Sequence, residues 1–225
     1  MTEIEYLGHS AFAIREGGKE VLVDPFLSDN PKAPLSASDV RPDLILVTHA
    51  HHDHLGDALH LSKRFGCPVL SVSEINDHLD EMGARVLQGN IGGEIQLSFC
   101  RVKMFPAVHS SSFEDGRYGG EPCSFLIEMG GRTVFHAGDT ALFSDLSLVA
   151  DEADIDMALL PVGGTYTMGV KEAVKAMRLL RARIMVPMHY DTWKSIAVDR
   201  QVLESAVRGE RFSLKVMAPG ERLVI

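Results

Sequence analysis

Short apolar blocks separated by polar or glycine-containing segments run along the whole chain, and this pattern predicts many strands. In the N-terminal third, IEYLGHSAFAIRE and EVLVDPF are strand-like, and GGK between them predicts a turn. The next segment, SDNPKAPLSASDVRPD, is polar and contains three prolines, so it predicts a loop. LILVTH then begins with an apolar run, which is typical of a strand buried on both faces.

The remainder of the chain continues this pattern and adds segments with helical spacing. Further strands are predicted over CPVLSV, residues 94–108, residues 123–135 with a turn at Gly130–Gly131, DMALLPVGG, RIMVPMH and RLVI. Helices are predicted over DHLGDALHLSKRFG, SEINDHLDEMG, VKEAVKAMRLLRA and about residues 198–207. Gly66 and Gly83 stand where the first two of these helices should end.

The number of strands constrains the architecture. Roughly a dozen strands are too many for one ordinary open sheet. Two packed sheets with helices outside them, an α+β fold of the αββα sandwich type, would accommodate the pattern. Because no repeat, low-complexity tract or linker interrupts the chain, we expect a single domain over residues 1–225.

Composition and charge narrow the range of partners. The chain has 225 residues, of which 45% are hydrophobic and 24% charged, as in ordinary globular proteins. Its net charge of −9 argues against a nucleic-acid surface, which needs clustered lysine and arginine. No apolar run approaches the roughly 18 residues that span a bilayer, and the acidic start MTEIEYLGHS lacks signal-peptide features. We therefore expect a cytoplasmic protein without a membrane partner, and homo-oligomerisation stays open.

The three cysteines do not form a recognisable framework. Cys67, Cys100 and Cys123 are an odd number with no close pair, and each lies in an apolar or strand-like context. They are expected to be reduced, packed thiols rather than disulfides.

The main chemical signal is the stretch LILVTHAHHDHLGD, in which an apolar strand leads into histidines and aspartates. Residues two apart in an extended segment point the same way, so His49 and His51 can face one metal ion. Asp53 and His54 follow where the chain turns into a helix and can face a second position nearby. His52 points away in this arrangement. The spacing favours two adjacent metal ions over one. The alternative interpretation of this stretch is a solvated histidine-rich loop.

Two metal sites need more ligands than this stretch supplies, since each ion typically takes about three protein ligands plus water. Three residues elsewhere follow apolar runs in the same manner. His109 closes MFPAVH, Asp139 lies in VFHAGDT, and His189 ends RIMVPMH. Strand ends commonly converge on one edge of a sheet, so these three side chains are candidate ligands.

These motifs together resemble the metallo-β-lactamase superfamily. The order THxHxDH, a later histidine, GDT and a final histidine is similar to the superfamily's metal-binding motifs. LGHSAF, VLVDPF, NIGG, HAGDT and GGTYTMG resemble a small branch of metal-dependent hydrolases, the UPF0173-like proteins, which are related to ascorbate-phosphate lactonases. The resemblance extends from His9 to His189 and implies a four-layer αββα sandwich.

The resemblance also implies a ligand set. Carried over to this sequence, the first metal would be held by His49, His51 and His109. The second would be held by Asp53, His54 and His189, and Asp139 would bridge the two. The family pattern makes Asp24 an acceptor that orients a ligand histidine, with a loop cap as the alternative.

Three further residues are candidates for orienting a ligand or contacting the substrate. His9 comes near the beginning of the family pattern, which suggests a position by the cleft. The alternative is a hydrogen-bonded histidine with a purely structural role. Tyr166 follows a GG turn after a buried strand, and Tyr190 adjoins His189. Both tyrosines are therefore expected near the substrate.

The predicted function is a metal-dependent hydrolase with two divalent ions. A bridging water of lowered pKa would attack, as hydroxide, a small ester, lactone, amide or phosphoester. Asp139 would bridge the ions and Asp53 would orient the nucleophile. The histidine-rich set favours zinc, with manganese, iron or nickel as alternatives. The competing functions are a phosphodiesterase acting on nucleic acid or nucleotides, and a non-catalytic metal-binding protein.

Overall fold

Two seven-stranded sheets form the centre of the molecule in the computed structural model, which describes residues 1–225. The strands of the first sheet are β1 (Glu3–Tyr6), β2 (Phe12–Glu16), β3 (Lys19–Val23), β4 (Leu44–Leu46), β5 (Val69–Leu70), β6 (Val86–Leu87) and β14 (Arg222–Val224). Those of the second are β7 (Glu94–Gln96), β8 (Cys100–Pro106), β9 (Cys123–Met129), β10 (Arg132–His136), β11 (Met157–Pro161), β12 (Ile184–Met188) and β13 (Ser213–Leu214).

Each sheet is half antiparallel and half parallel. The first has the order β14-β1-β2-β3-β4-β5-β6, antiparallel up to β3 and parallel beyond it. The second has the order β13-β12-β11-β10-β9-β8-β7, antiparallel from β7 to β10 and parallel beyond. The parallel halves matter for function because parallel strands end at the same edge of a sheet.

The helices connect and flank the strands. They are α1 (His52–Leu55), α2 (Ala58–Phe65), α3 (Ser73–Glu81), α4 (Leu146–Val149), α5 (Val170–Leu180) and α6 (Arg200–Ala206), with a 3₁₀ helix over Lys194–Ile196. None of them has the length and apolarity that a membrane crossing requires. The α+β αββα sandwich expected from the strand count is confirmed.

One continuous apolar cluster of 58 buried residues fills the space in and around the sheets. Phe12 of the first sheet meets His136 of the second with ring centroids 5.8 Å apart, so aromatic packing joins the sheets directly. Cys67, Cys100 and Cys123 are buried and free, as expected.

The structure corrects the predicted elements at a few points. The helix expected over residues 53–66 is two helices, because the chain turns at Gly56 with φ +41°. A Cβ there would lie 2.4 Å from the carbonyl oxygen of Pro25, so only glycine fits this close approach. The two-residue strands β6 and β13 were not predicted, since such short segments show no alternation.

Replacing Phe12 by alanine should lower the free energy of unfolding by about 3–5 kcal/mol, because it opens a cavity between the sheets. Leu148 on α4 is 58% exposed, and Leu148→Ala is the matched control, expected to change stability by less than about 0.5 kcal/mol. Urea unfolding of both variants measures the difference. Equal losses in the two variants would contradict the packing described here.

Candidate metal centre

The candidate ligands lie where strands from both sheets end. His49 follows β4, Asp139 follows β10 and His189 follows β12. His109 follows β8, which runs in the same direction as β10 because both are antiparallel to β9. The strand directions therefore bring these side chains to one edge of the sandwich, although they are separated by up to 140 positions in sequence.

His49, His51 and His109 form the first donor group, in which ligand atoms lie within 4.8 Å of one another. The His49 Nε2 and His51 Nδ1 atoms are 2.9 Å apart. Burial lowers the pKa of each of the three imidazoles, most strongly for fully buried His49. Neutral imidazoles have a lone pair free for a metal ion.

Asp53, His54 and His189 form the second donor group, again with ligand atoms within 4.8 Å of one another. Asp53 and His54 belong to the short helix α1, directly after the strand end that carries His49. His189 Nε2 lies 3.8 Å from Asp53 Oδ2. His9 falls within the same 4.8 Å cluster, with its Nε2 atom 3.1 Å from Asp53 Oδ2.

Asp139 lies between the two donor groups. Its Oδ2 atom is 3.5 Å from His109 Nε2 in the first group and 3.0 Å from His189 Nε2 in the second. Its Oδ1 atom is 3.3 Å from His54 Nε2. A carboxylate in this place can contact a cation on either side.

Two buried atoms at the centre of the cluster have no hydrogen-bond partner. They are His54 Nε2 and Asp139 Oδ1, which lie close together without hydrogen-bond alignment. Buried polar atoms are nearly always paired, because an unpaired one loses the hydration it had in the unfolded chain. Imidazole nitrogens and carboxylate oxygens are ligands of divalent metal ions, so the residues fit such ions.

Asp24 orients histidines in both donor groups. Its Oδ2 atom lies 2.7 Å from His54 Nδ1 and accepts a hydrogen bond from Thr48 Oγ1 at 2.8 Å. The same hydroxyl lies 3.0 Å from His49 Nδ1, from which it can accept. A carboxylate can only accept here, so the Nδ1 protons of both histidines point to the Asp24 side and their Nε2 atoms face the centre.

His9 holds Asp53 in a similar way. Burial lowers the pKa of His9 to about 4, so its imidazole is neutral at pH 7. Its Nε2–H donates to Asp53, and its Nδ1 accepts from the Thr192 hydroxyl at 2.8 Å. Although burial opposes ionisation, this hydrogen bond and the charge of His54 keep the pKa of Asp53 below its usual range.

Charge is concentrated around His54. Burial disfavours its cationic form, but Asp139 and Asp24 on either side raise its pKa well above the usual range. Burial likewise disfavours an ionised Asp139, yet His54 and His189 hold its pKa well below normal. The pocket thus stabilises positive charge between these carboxylates, which a divalent cation would supply.

The backbone is strained at three of the positions that build the centre. His9, Asp24 and His189 have φ values of 56°, 46° and 55°, a left-handed conformation that costs a non-glycine residue on the order of 1–3 kcal/mol. The His189 N–H donates to the His9 carbonyl oxygen at 2.8 Å, so two of these residues support each other.

A small cleft of about 260 Å³ opens onto the centre. Five of the candidate ligands line it, together with Ser110, Tyr166 and Trp193. Tyr166 therefore lies where the sequence suggested. Trp193 was not predicted, and its only signal was its position four residues after His189 in the chain.

The expectation for Tyr190 has to be corrected. Its side chain does not line the cleft but a separate cavity beside Tyr6 and Asp191. The left-handed φ at His189 turns the chain immediately before Tyr190, so neighbours in sequence face different cavities.

Two other histidines from the motifs stay outside the donor groups. His52 lies at the surface with its Nε2 atom 3.1 Å from Asp29 Oδ2, consistent with the predicted outward direction. His136 is buried between the sheets, where Nε2 lies 2.9 Å from the Ser10 carbonyl oxygen and Nδ1 accepts from the Gly138 N–H.

Comparisons with known proteins found relatives both in sequence and in fold. A family model described as "Beta-lactamase superfamily domain" matches residues 3–189. A UPF0173 metal-dependent hydrolase of Thermus thermophilus is 45% identical over 223 residues, covering 99% of each chain. One of Carboxydothermus hydrogenoformans is 41% identical over 225 residues, covering 99% of this chain and 100% of the relative. The solved structure of a metallo hydrolase from the archaeon Ignicoccus hospitalis matches with a TM-score of 0.87 and 36% identity, covering 99% of this chain and 97% of the other.

Removing divalent metal with a chelator should lower the melting temperature, and adding zinc should restore it. An ion at about 100 times its Kd stabilises the native state by about 2.7 kcal/mol, which corresponds to roughly 5–10 °C for a chain of this size. Differential scanning calorimetry measures the shift. Asp139→Asn should largely lose the response, whereas exposed His60→Ala should keep it. A wild-type melting temperature indifferent to both chelator and zinc would contradict a metal centre here.

Proposed function

Because the chain belongs to the β-lactamase superfamily and is a metal-dependent hydrolase of the metallo-β-lactamase fold, we propose that its metal centre holds two ions. We further propose that the protein hydrolyses a small substrate at this centre. The reaction would be hydrolysis of an ester, lactone, amide or phosphoester. The observation that carries the proposal is the position of Asp139, whose carboxylate lies within 3.5 Å of histidine nitrogens from both donor groups.

The two donor groups would each hold one ion. The first ion would contact His49, His51 and His109, the second would contact Asp53, His54 and His189, and Asp139 would contact both. When bound, such a pair supplies Lewis-acid activation of water and of an electrophilic carbonyl or phosphorus centre. Five imidazoles and two carboxylates favour zinc, with manganese, iron and nickel as alternatives.

The two ligand carboxylates differ in their access to the cleft, which supports different roles. The Asp139 side chain is 3% exposed and lies in the interior, which suits a bridging ligand. The Asp53 side chain is 25% exposed and faces the cleft from which a water molecule would enter. We assign to Asp53 the additional role of orienting that water molecule, with His9 fixing the carboxylate through its Nε2–H.

The size of the cleft supports a small substrate over a polynucleotide. Its volume of about 260 Å³ is slightly below the approximate 300–1,000 Å³ of pockets for drug-sized ligands. The net charge of −9 also disfavours an extended phosphate backbone.

Asp53→Ala and His109→Ala should each lower kcat/KM by at least about 100-fold, because each removes a ligand and the first also removes the group that orients water. A panel of chromogenic esters, lactones and phosphodiesters with the zinc-loaded protein measures the loss, and His60→Ala serves as the control. Wild-type activity in both variants would exclude the site as assigned. A folded, metal-loaded protein inactive on the whole panel would favour a non-catalytic metal-binding role.

Asp24→Ala should weaken metal binding by about 10–100-fold, because His54 loses its acceptor and the Thr48 hydroxyl that accepts from His49 loses the carboxylate that orients it. Competition with a chromogenic chelator measures the affinity, and circular dichroism checks that the variant folds. The control is His52→Ala, which removes a neighbouring histidine outside the donor groups. Unchanged affinity in a folded Asp24→Ala protein would rule out the orienting role.

A further inference from the structure

Two exposed aromatic side chains stand beside the metal centre. Tyr166 is 60% exposed and Trp193 is 40% exposed, and both line the cleft. Rings this exposed contribute less to the core than buried ones, and exposed aromatic surface next to a cleft is typical of ligand contact. Ser110 is the only other lining residue outside the donor set.

The segment that carries Trp193 is fixed to the metal centre. The Thr192 hydroxyl hydrogen-bonds to His9, which in turn holds Asp53. The indole ring meets the His9 imidazole edge to face, with ring centroids 4.8 Å apart. The Ile196 N–H donates to the Trp193 carbonyl oxygen at 3.1 Å, which closes a tight turn. Trp193 is thus positioned before any substrate arrives.

The segment that carries Tyr166 is fixed to the same network. The Thr165 hydroxyl donates to the Ser195 carbonyl oxygen at 2.5 Å, which links the two aromatic segments directly. The Met168 N–H donates to the Thr140 carbonyl oxygen at 3.0 Å, beside the central Asp139. These contacts fix the segments that carry both aromatic residues beside the cleft.

The cleft offers no cationic side chain. Neither lysine nor arginine is among its lining residues. Proteins that recognise phosphate groups commonly use arginine or lysine for this purpose. Outside the donor groups the lining therefore consists of two aromatic side chains and the Ser110 hydroxyl group, and the aromatic rings suit a neutral apolar group.

We infer that the substrate is a neutral carbonyl ester or lactone whose flat apolar group, such as an aryl ring, lies between Tyr166 and Trp193. This inference rests on the proposed function and selects the carbonyl class over the phosphoester class. In the reaction, water adds to the carbonyl carbon and the bond from that carbon to the ester oxygen breaks. An ester gives a carboxylic acid and an alcohol, a lactone gives a single hydroxy acid, and in both cases the leaving oxygen takes the proton released by water.

A kinetic comparison tests the substrate class. With the metal-loaded protein, the aryl lactone dihydrocoumarin should be hydrolysed with a higher kcat/KM than γ-butyrolactone, which has no aryl ring, and than bis(p-nitrophenyl) phosphate. Trp193→Ala and Tyr166→Ala should each raise KM for dihydrocoumarin by about tenfold, the effect of one lost aromatic contact, with little change in kcat. Trp193→Phe should recover most of the loss. Tyr118→Ala, which removes an exposed tyrosine outside the cleft, is the control.

A binding measurement adds a readout that does not depend on turnover. Trp193 is the only tryptophan in the chain, so tryptophan fluorescence reports on the cleft alone. In metal-free protein, the neutral aryl ketone 4-phenyl-2-butanone should change this fluorescence saturably, and the dianion phenylphosphonate should not. Tyr166→Ala should weaken the ketone's effect by about tenfold.

The outcomes separate the inference from the proposed function. Metal-dependent turnover with a preference for the phosphodiester, or with a KM insensitive to both aromatic substitutions, would overturn the inference and leave the hydrolase intact. Equal or tighter binding of phenylphosphonate, or no binding of the ketone, would also overturn it. Absence of metal-dependent turnover on every substrate would instead count against the proposed function.

Discussion

A buried line of polar contacts from Asp24 through His54 to Asp139 joins the strand ends of the two sheets. Asp24 follows β3 of the first sheet and Asp139 follows β10 of the second, and His54 lies between them at 2.7 and 3.3 Å. All three side chains are almost inaccessible to solvent. Buried charges are tolerated only when they are paired or bound to a metal, and a divalent cation held by the surrounding donor groups would pair with these carboxylates.

The rest of the centre is organised around that line. Thr48 extends the influence of Asp24 to His49, so one carboxylate orients ligands on both sides. Asp24 and His189 have left-handed backbone conformations. Such strained conformations persist in a folded protein when many surrounding contacts fix them. The interior of the centre is therefore histidine-rich, whereas the exposed rings of Tyr166 and Trp193 line the cleft that opens onto it.

Much of this arrangement could be predicted from the sequence, for physical reasons. Parallel strands place their ends at one edge, so apolar runs that end in His49, His109 and His189 indicated a shared location. What could not be predicted depends on backbone torsion and tertiary contact. The turn at His189 sends Tyr190 to another cavity, and Trp193 reaches the cleft through a hydrogen bond between Thr192 and His9, which no local pattern reveals.

We propose that this edge of the sandwich holds two metal ions with the Asp139 carboxylate between them. Anomalous X-ray diffraction from crystals of the zinc-loaded protein, recorded on both sides of the zinc absorption edge, tests it most directly. We expect two zinc peaks, one in each donor group, on either side of the Asp139 carboxylate. A single peak in one donor group, or no peak at this edge, would contradict it.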